Sequence, residues 1–248
     1  MIKFFRKIRQ NLVSEGKTIK YLKYAIGEII LVVVGILIAI QLNTWKENKK
    51  LNEIRHQYYV QLLDELNDNK NYINEIIEKY SQNISMYDSL IQSQNSPNLT
   101  TEQILKTYYL VNYRYYNILF QTGTIESLQN TGEIKLIPLS IRYKLLNLKR
   151  TMDRRVVVNQ ELNQEFKDRS RAANLMGASG LSQLNDNKIY SNKTISEYMK
   201  ESEVEMILSL NTALLIKREN EEITVVACND LLKEIGNIEN LIHSELNK

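Results

Sequence analysis

Residues 25–42 read AIGEIILVVVGILIAIQL, an almost unbroken apolar run with one carboxylate, Glu28, near its start. About twenty residues at ~1.5 Å each cross the ~30 Å hydrocarbon core of a bilayer as a helix, so this run is long enough to span one. A chain carrying such a segment either buries it in protein or gives it to lipid. The expected organisation is a basic tail over 1–23, a transmembrane helix over 24–44 and a helical bundle over 45–248.

Charge gives the run a direction. The first 23 residues carry Lys3, Arg6, Lys7, Arg9, Lys17, Lys20 and Lys23 against the single acid Glu15. Lys46, Lys49, Lys50 and Arg55 on the far side are offset by Glu47 and Glu53. An excess of Lys and Arg marks the cytoplasmic side, which places the N-terminus inside and the remainder across the membrane. Trp45, Tyr21 and Tyr24 sit where interfacial aromatics are expected. A cleaved signal peptide would have a shorter apolar region and a small-x-small cleavage site; Ile40-Gln41-Leu42-Asn43 offers none. Within the tail, Ile2, Phe5, Ile8 and Leu12 fall at helical spacing among the bases. That pattern fits an amphipathic helix on an anionic leaflet, or a tail that only sets topology. The tail is net +6 and Glu28 contributes −1, so a whole-chain charge of +3 leaves −2 for everything beyond the span. Nucleic-acid binding, which needs a basic surface, loses its main support.

Beyond the span, two prolines and eight glycines in the whole chain leave few helix breakers. Leu51, Ile54, Tyr58, Leu62, Leu66, Ile73, Ile76, Tyr80, Ile84, Tyr87 and Ile91 recur in steps of three and four, interrupted by Asn69, and predict a long helix. Nothing between Gln41 and Lys50 breaks a helix, so the span runs on into this stripe until Asn95-Ser96-Pro97-Asn98. Thr100 with Gln103 forms a capping box for a second, tyrosine-rich helix. A short helix covers Ile125 to Asn130 and stops at Gly132. Pro138 opens a third long helix with the stripe Ile141, Leu145, Leu148, Met152, Val156, Leu162 and Phe166. The glycine-containing stretch around Met176 to Gly180 reads as an exposed loop. Thr194 with Glu197 caps a last region through Met206, Leu210, Leu214, Ala227, Leu231, Ile235, Ile238 and Leu241, either one helix or two, with Gly236 a candidate kink. The expected fold is all-α: an N-terminal transmembrane helix continuing towards a long-helix up-and-down periplasmic bundle. Arg142, Lys144, Lys149, Arg150, Arg154 and Arg155 on the third helix complement Glu201, Glu203, Glu205, Glu219, Glu221 and Glu222 on the last, or form a basic face for an anionic partner.

Catalytic patterns are missing. His56 and His243 have no second metal ligand at helical spacing, and no metal or other cofactor is expected. No phosphate loop, nucleophile elbow or zinc-protease motif occurs. Gly177-Ala178-Ser179-Gly180 reads as a flexible turn and Cys228 as a small buried hydrophobe. The expectation is therefore a protein that is not an enzyme. Tyr108, Tyr109, Tyr113, Tyr115 and Tyr116 form either an interaction surface or, because Leu105, Tyr109, Tyr113 and Tyr116 step along one helical face, part of the core. Glu28 has three readings: a charge near the cytoplasmic edge paired with nearby lysines, a helix-association residue, or a proton- or ion-linked carboxylate of an energy-coupling or motor-type subunit. Gly27, Leu31, Gly35 and Ala39 recur every four residues and would let two spans approach closely. The expected partners are the lipid bilayer and a second copy of the chain or another envelope protein; a ligand-sensing bundle is the remaining alternative.

MIKFFRKIRQ, then KYLKYAIGEIILVVVGILIAIQLNTW, together with Thr124-Ile125-Glu126-Ser127-Leu128 and Asn130 to Ile137, resembles a large family of uncharacterised single-span membrane proteins from Bacteroidota. The resemblance implies a Gram-negative inner membrane and a periplasmic helical domain. It brings no active-site residues.

Overall fold

A three-and-four spacing of buried side chains sustained over ten turns selects helices long enough to share one core. The computed structural model describes residues 18–108, 110–178 and 192–247, and all regular structure among them is helical. Helix α1 spans Thr18–Gln94, α2 Thr101–Tyr108, α3 Gly123–Asn130, α4 Leu139–Leu175, α5 Lys193–Glu201 and α6 Glu203–Leu246, with a 3-10 turn at Glu133–Leu136. The chain divides into two compact units, 1–57 and 58–248, and α1 belongs to both. The expected amphipathic tail helix at Ile2 to Leu12 lies outside the described residues.

In the first unit, α1 passes through the apolar run unbroken and every residue from 26 to 53 is exposed. In the second unit the fold is a bundle with two core clusters. The first gathers residues 59–80 of α1, 141–152 of α4 and 228–242 of α6 with Ile118, Phe120, Ile125 and Leu128. The second gathers Tyr87, Leu90, Leu105, Tyr108, Val111, Ala173, Met206, Leu210 and Leu214. Between them, α1 and α4 run from the first cluster to the second. Helix α6 runs back, and so does the segment from α2 to α3. The architecture is therefore up-and-down, but its second leg is α2 followed by an irregular, non-helical stretch from Val111 to Thr122.

The local rules explain the ends. Thr100 Oγ1 accepts from Gln103 N–H at 3.2 Å and Gln103 Oε1 accepts from Thr100 N–H at 2.9 Å, a reciprocal capping box. Gly132 takes a left-handed φ of 74° after α3, where a side chain would be strained. Pro138 caps α4 with an extended ψ of 144°. Three readings of the sequence need correction. Asn192, rather than Thr194, caps α5, its side chain accepting from Thr194 and Ile195 N–H. The last region is two helices that break at Ser202, and α6 continues as helix past Gly236. Gly177, expected in an exposed loop, has a φ of 107° and the Met199 side chain packed where a Cβ would stand, 2.8 Å away, so it closes α4 against α5. Residues 179–191, including Ser179 and Gly180, lie outside the described residues.

The helices of the second unit are also pinned by ion pairs. Lys144 meets Glu234 at 2.8 Å, Lys70 meets Glu239 at 2.9 Å and Arg218 meets Asp88 at 3.0 Å. Of the six bases named on α4, Lys144 meets an acid of α6, Glu234, which is not one of the six acids named, while Lys149 pairs with Glu126 and Asp153 and Glu221 and Glu222 pair within α6. Such partly exposed pairs are worth about 0–1 kcal/mol each, so they fix register more than they supply stability.

Candidate functional site

Most buried polar groups of the second unit fall between the stretches of α1, α4 and α6 that enter its two apolar clusters, and Glu65 and Asn69 lie among the residues of the first. The buried line of α4 continues its steps from Met152 through Arg155, Asn159 and Asn163 to Phe166. That of α6 runs through Lys217, Asn220, Glu221 and Thr224, and that of α1 through Asn69 and Asn83. Asn83, rather than Ile84, takes the inward position on α1, because the buried line steps 80, 83, 87, 90. Val156 and Leu162 flank the α4 line half-buried while polar residues occupy it.

Three of the asparagines, Asn69, Asn159 and Asn163, hold main chain. The 111–122 stretch has no helix or sheet to satisfy its peptide groups, and unpaired buried peptide groups are costly. Asn69 supplies the missing neighbour: its Oδ1 accepts from Gln121 N–H at 2.9 Å and its Nδ2 donates to Gln121 O at 2.7 Å, as a strand's peptide group would. Asn159 Oδ1 accepts from Ile118 N–H at 3.1 Å, and Asn163 Nδ2 donates to Tyr116 O at 3.0 Å. Tyr72 accepts from Leu119 N–H at 3.1 Å and Glu65 accepts from Thr124 N–H at 2.6 Å. Asn220 ties the frame to α6, donating to Asn163 at 3.1 Å and accepting from Arg155 at 2.7 Å.

Beside this frame, Lys217 and Glu221 form an ion pair with both side chains only 3% exposed. Asn83 donates to the same carboxylate oxygen at 2.9 Å, and the Lys217 ammonium lies 5.8 Å from the Phe166 ring centre. Burial raises the Glu221 carboxyl above its ordinary range, against the opposing pull of Lys217. Burial also raises the phenols of Tyr80 and Tyr87, with Glu221 adding to both, and lowers the Arg155 guanidinium. The Cys228 thiol is pushed up by burial to about 11.

The tyrosines do not share a helical face, because α2 ends at Tyr108. Tyr108 is buried in the second cluster and Tyr113 packs against it. Tyr115 meets Phe166 edge-on with ring centres 6.3 Å apart, and the Lys79 ammonium lies over Tyr116. Tyr109 lies outside the described residues. Together, Tyr108, Tyr113, Tyr115 and Phe166 wall a half-open cleft of about 530 Å³, completed by α4 residues from Lys167 to Asn174, by Ala178 and by Leu210. The sequence shows the aromatic content of this cleft but not its α4 wall, which depends on where the chain turns after Tyr108.

The residues singled out in the apolar run all lie in the first unit. Gly27, Gly35 and Ala39 are exposed, and a Cβ added at Gly27 or Gly35 would meet nothing within 4 Å. Glu28 is exposed too, and it is not an unpaired charge. Among the described residues no three His, Cys, Asp or Glu side chains gather as a metal site requires. Comparison with protein-family profiles, curated proteins and solved structures finds no match to this chain.

Two outcomes follow. Asn69→Leu removes a donor and an acceptor from Gln121 together, at about 1–3 kcal/mol for each buried group left unpaired, and lowers the urea midpoint far more than the exposed control Asn67→Leu. For Cys228, the unfolded thiol ionises near 9.0 while the folded one holds its proton to about 11. Stability therefore falls as pH rises from 9 towards 11, by about 2–3 kcal/mol from this group, and Tyr80 and Tyr87, whose unfolded phenols ionise near 10.0, add loss of the same sign above pH 10. Urea unfolding across that range checks the slope, and Cys228→Ala flattens it between pH 9 and 10.

Proposed function

We propose that this protein is a membrane-anchored, non-enzymatic helical scaffold: a single-pass inner-membrane protein with its N-terminus in the cytoplasm and its bundle in the periplasm. The observation that carries the reading is the apolar stretch of α1, which is long enough to cross a bilayer and of which no part is buried among the described residues. Leu31, 74% exposed, and its neighbours form a continuous apolar surface larger than a water-facing protein tolerates, and a bilayer covers it. The basic excess on the N-terminal side supplies the orientation. Two further observations support a binding rather than a catalytic role. The buried polar side chains of the bundle bond to its own main chain and to one another. Gly27, Gly35 and Ala39 leave a small-residue face open on α1, where a second copy or another envelope protein packs its own span.

Single-cysteine labelling tests the arrangement. With Ser14→Cys and Asn237→Cys in separate Cys228→Ala chains, the membrane pellet retains both after alkaline carbonate extraction. An impermeant maleimide then labels only the Asn237→Cys chain in intact spheroplasts. Release by carbonate, or labelling of the tail instead, contradicts the proposal. Gly35→Leu reduces crosslinked oligomers in the membrane; an unchanged ladder removes self-association through α1.

A further inference from the structure

The cleft between α4 and the chain after α2 has the composition of a binding site rather than a packing defect. Its volume of about 530 Å³ falls in the range of small-molecule pockets, roughly 300–1,000 Å³. Four rings reach it from α2, from the following segment and from α4. Three are tyrosines, which offer a flat face and a hydroxyl at once. Phe166 is buried and holds Tyr115 edge-on at 64°, while Tyr115 itself is 39% exposed.

Its charge is one-sided. Lys167 and Arg171 lie one turn apart on α4 and both line the cleft. The Lys167 ammonium sits 4.7 Å from the Tyr115 ring centre, and among the described residues neither cation has a carboxylate partner. Lys144 and Lys149 on the same helix are both neutralised, by Glu234 at 2.8 Å and Asp153 at 2.7 Å. Ser170, between the two cations, adds a third observation. Ser85 and Ser89 of α1 donate to the carbonyl one turn back, at 3.0 and 2.9 Å. The Ser170 hydroxyl is shielded from solvent and has no hydrogen-bond partner among the described residues. A buried hydroxyl without a partner calls for an explanation, and a ligand oxygen supplies one.

We propose that this cleft binds a small organic anion: an aryl or saccharide ring, seated against Tyr113, Tyr115 and Phe166, whose carboxylate or phosphate lies between Lys167 and Arg171 and engages Ser170. The rings select a flat body, the cations select the negative charge, and the half-open mouth admits a ligand from solvent. The inference is independent of the membrane anchor.

The test is equilibrium dialysis of the full chain in phospholipid nanodiscs, with empty nanodiscs subtracted, using 4-nitrophenyl β-glucuronide and its neutral counterpart 4-nitrophenyl β-glucoside. The acid binds saturably with a Kd of about 1 mM or tighter, and the glucoside binds at least about fivefold more weakly. The Lys167→Ala/Arg171→Ala double variant, altered only at the two cations that line the cleft, loses about tenfold in affinity for the acid. Lys233→Ala, which removes an exposed charge elsewhere, leaves it unchanged. Displacement by 4-nitrobenzoate or by glucuronate then says which ring the cleft takes, and either result supports the proposal. Absence of saturable binding, equal affinity for acid and glucoside, an unaffected double variant, or displacement by neither acid overturns it.

Discussion

The bundle depends on how the main chain between Val111 and Thr122 is satisfied. Four long helical legs would have closed all their peptide groups internally, but here the second leg ends its helix at Tyr108 and continues as an irregular chain packed between helices. Ile118 and Phe120 are buried, so their stretch of backbone is drawn out of water with them. Asn69, Asn159 and Asn163 answer that demand with amides, the side-chain group most like a peptide bond. The two-bond grip of Asn69 on Gln121 stands in for a strand's neighbour.

Once those amides are inside, further polarity follows. The Asn163 Oδ1 needs a donor and finds it in the Asn220 amide, whose own oxygen accepts from Arg155. Lys217 and Glu221 enter on the same turns of α6, and their pairing offsets a desolvation that neither charge bears alone. A polar layer of this kind is a poor source of net stability but a strong source of register. Apolar clusters on either side slide past one another at little cost, whereas a slipped Asn163 or Asn220 leaves buried groups unpaired. The same arrangement sets the cleft, since Tyr113 and Tyr115 are presented by the irregular chain that Asn163 and Asn159 hold.

Much of the architecture was legible because helical periodicity is a local property. The unbroken α1, its end near Pro97, the capping box at Thr100, the short helix before Gly132 and the start of α4 at Pro138 all follow from nearby residues. The tyrosine segment reads as helix in the sequence because Leu105, Tyr109, Tyr113 and Tyr116 keep a helical step; the tertiary pull of the core on Ile118 and Phe120 overrides it. The polar layer left a trace in the sequence that apolar stripes conceal. Steps of three and four continue through Asn69, Asn83, Arg155, Asn159 and Asn163 when polar residues are allowed into the count. Choosing Ile84 over Asn83 follows from hydrophobicity alone and misses it. The cleft was legible only as tyrosine content, because its cations and Ser170 come from a helix far away in sequence.

Amide hydrogen exchange at Ile118 and Gln121 reports on the asparagine frame. Both lie outside any helix or sheet, and both donate to an asparagine side chain. If that frame holds the second leg, their exchange is slowed to the level of core amides in α4 and α6, by several orders of magnitude relative to a free peptide. Exchange at the rate of an open loop would show that the asparagines do not hold this segment, and the account of the bundle would fail with it.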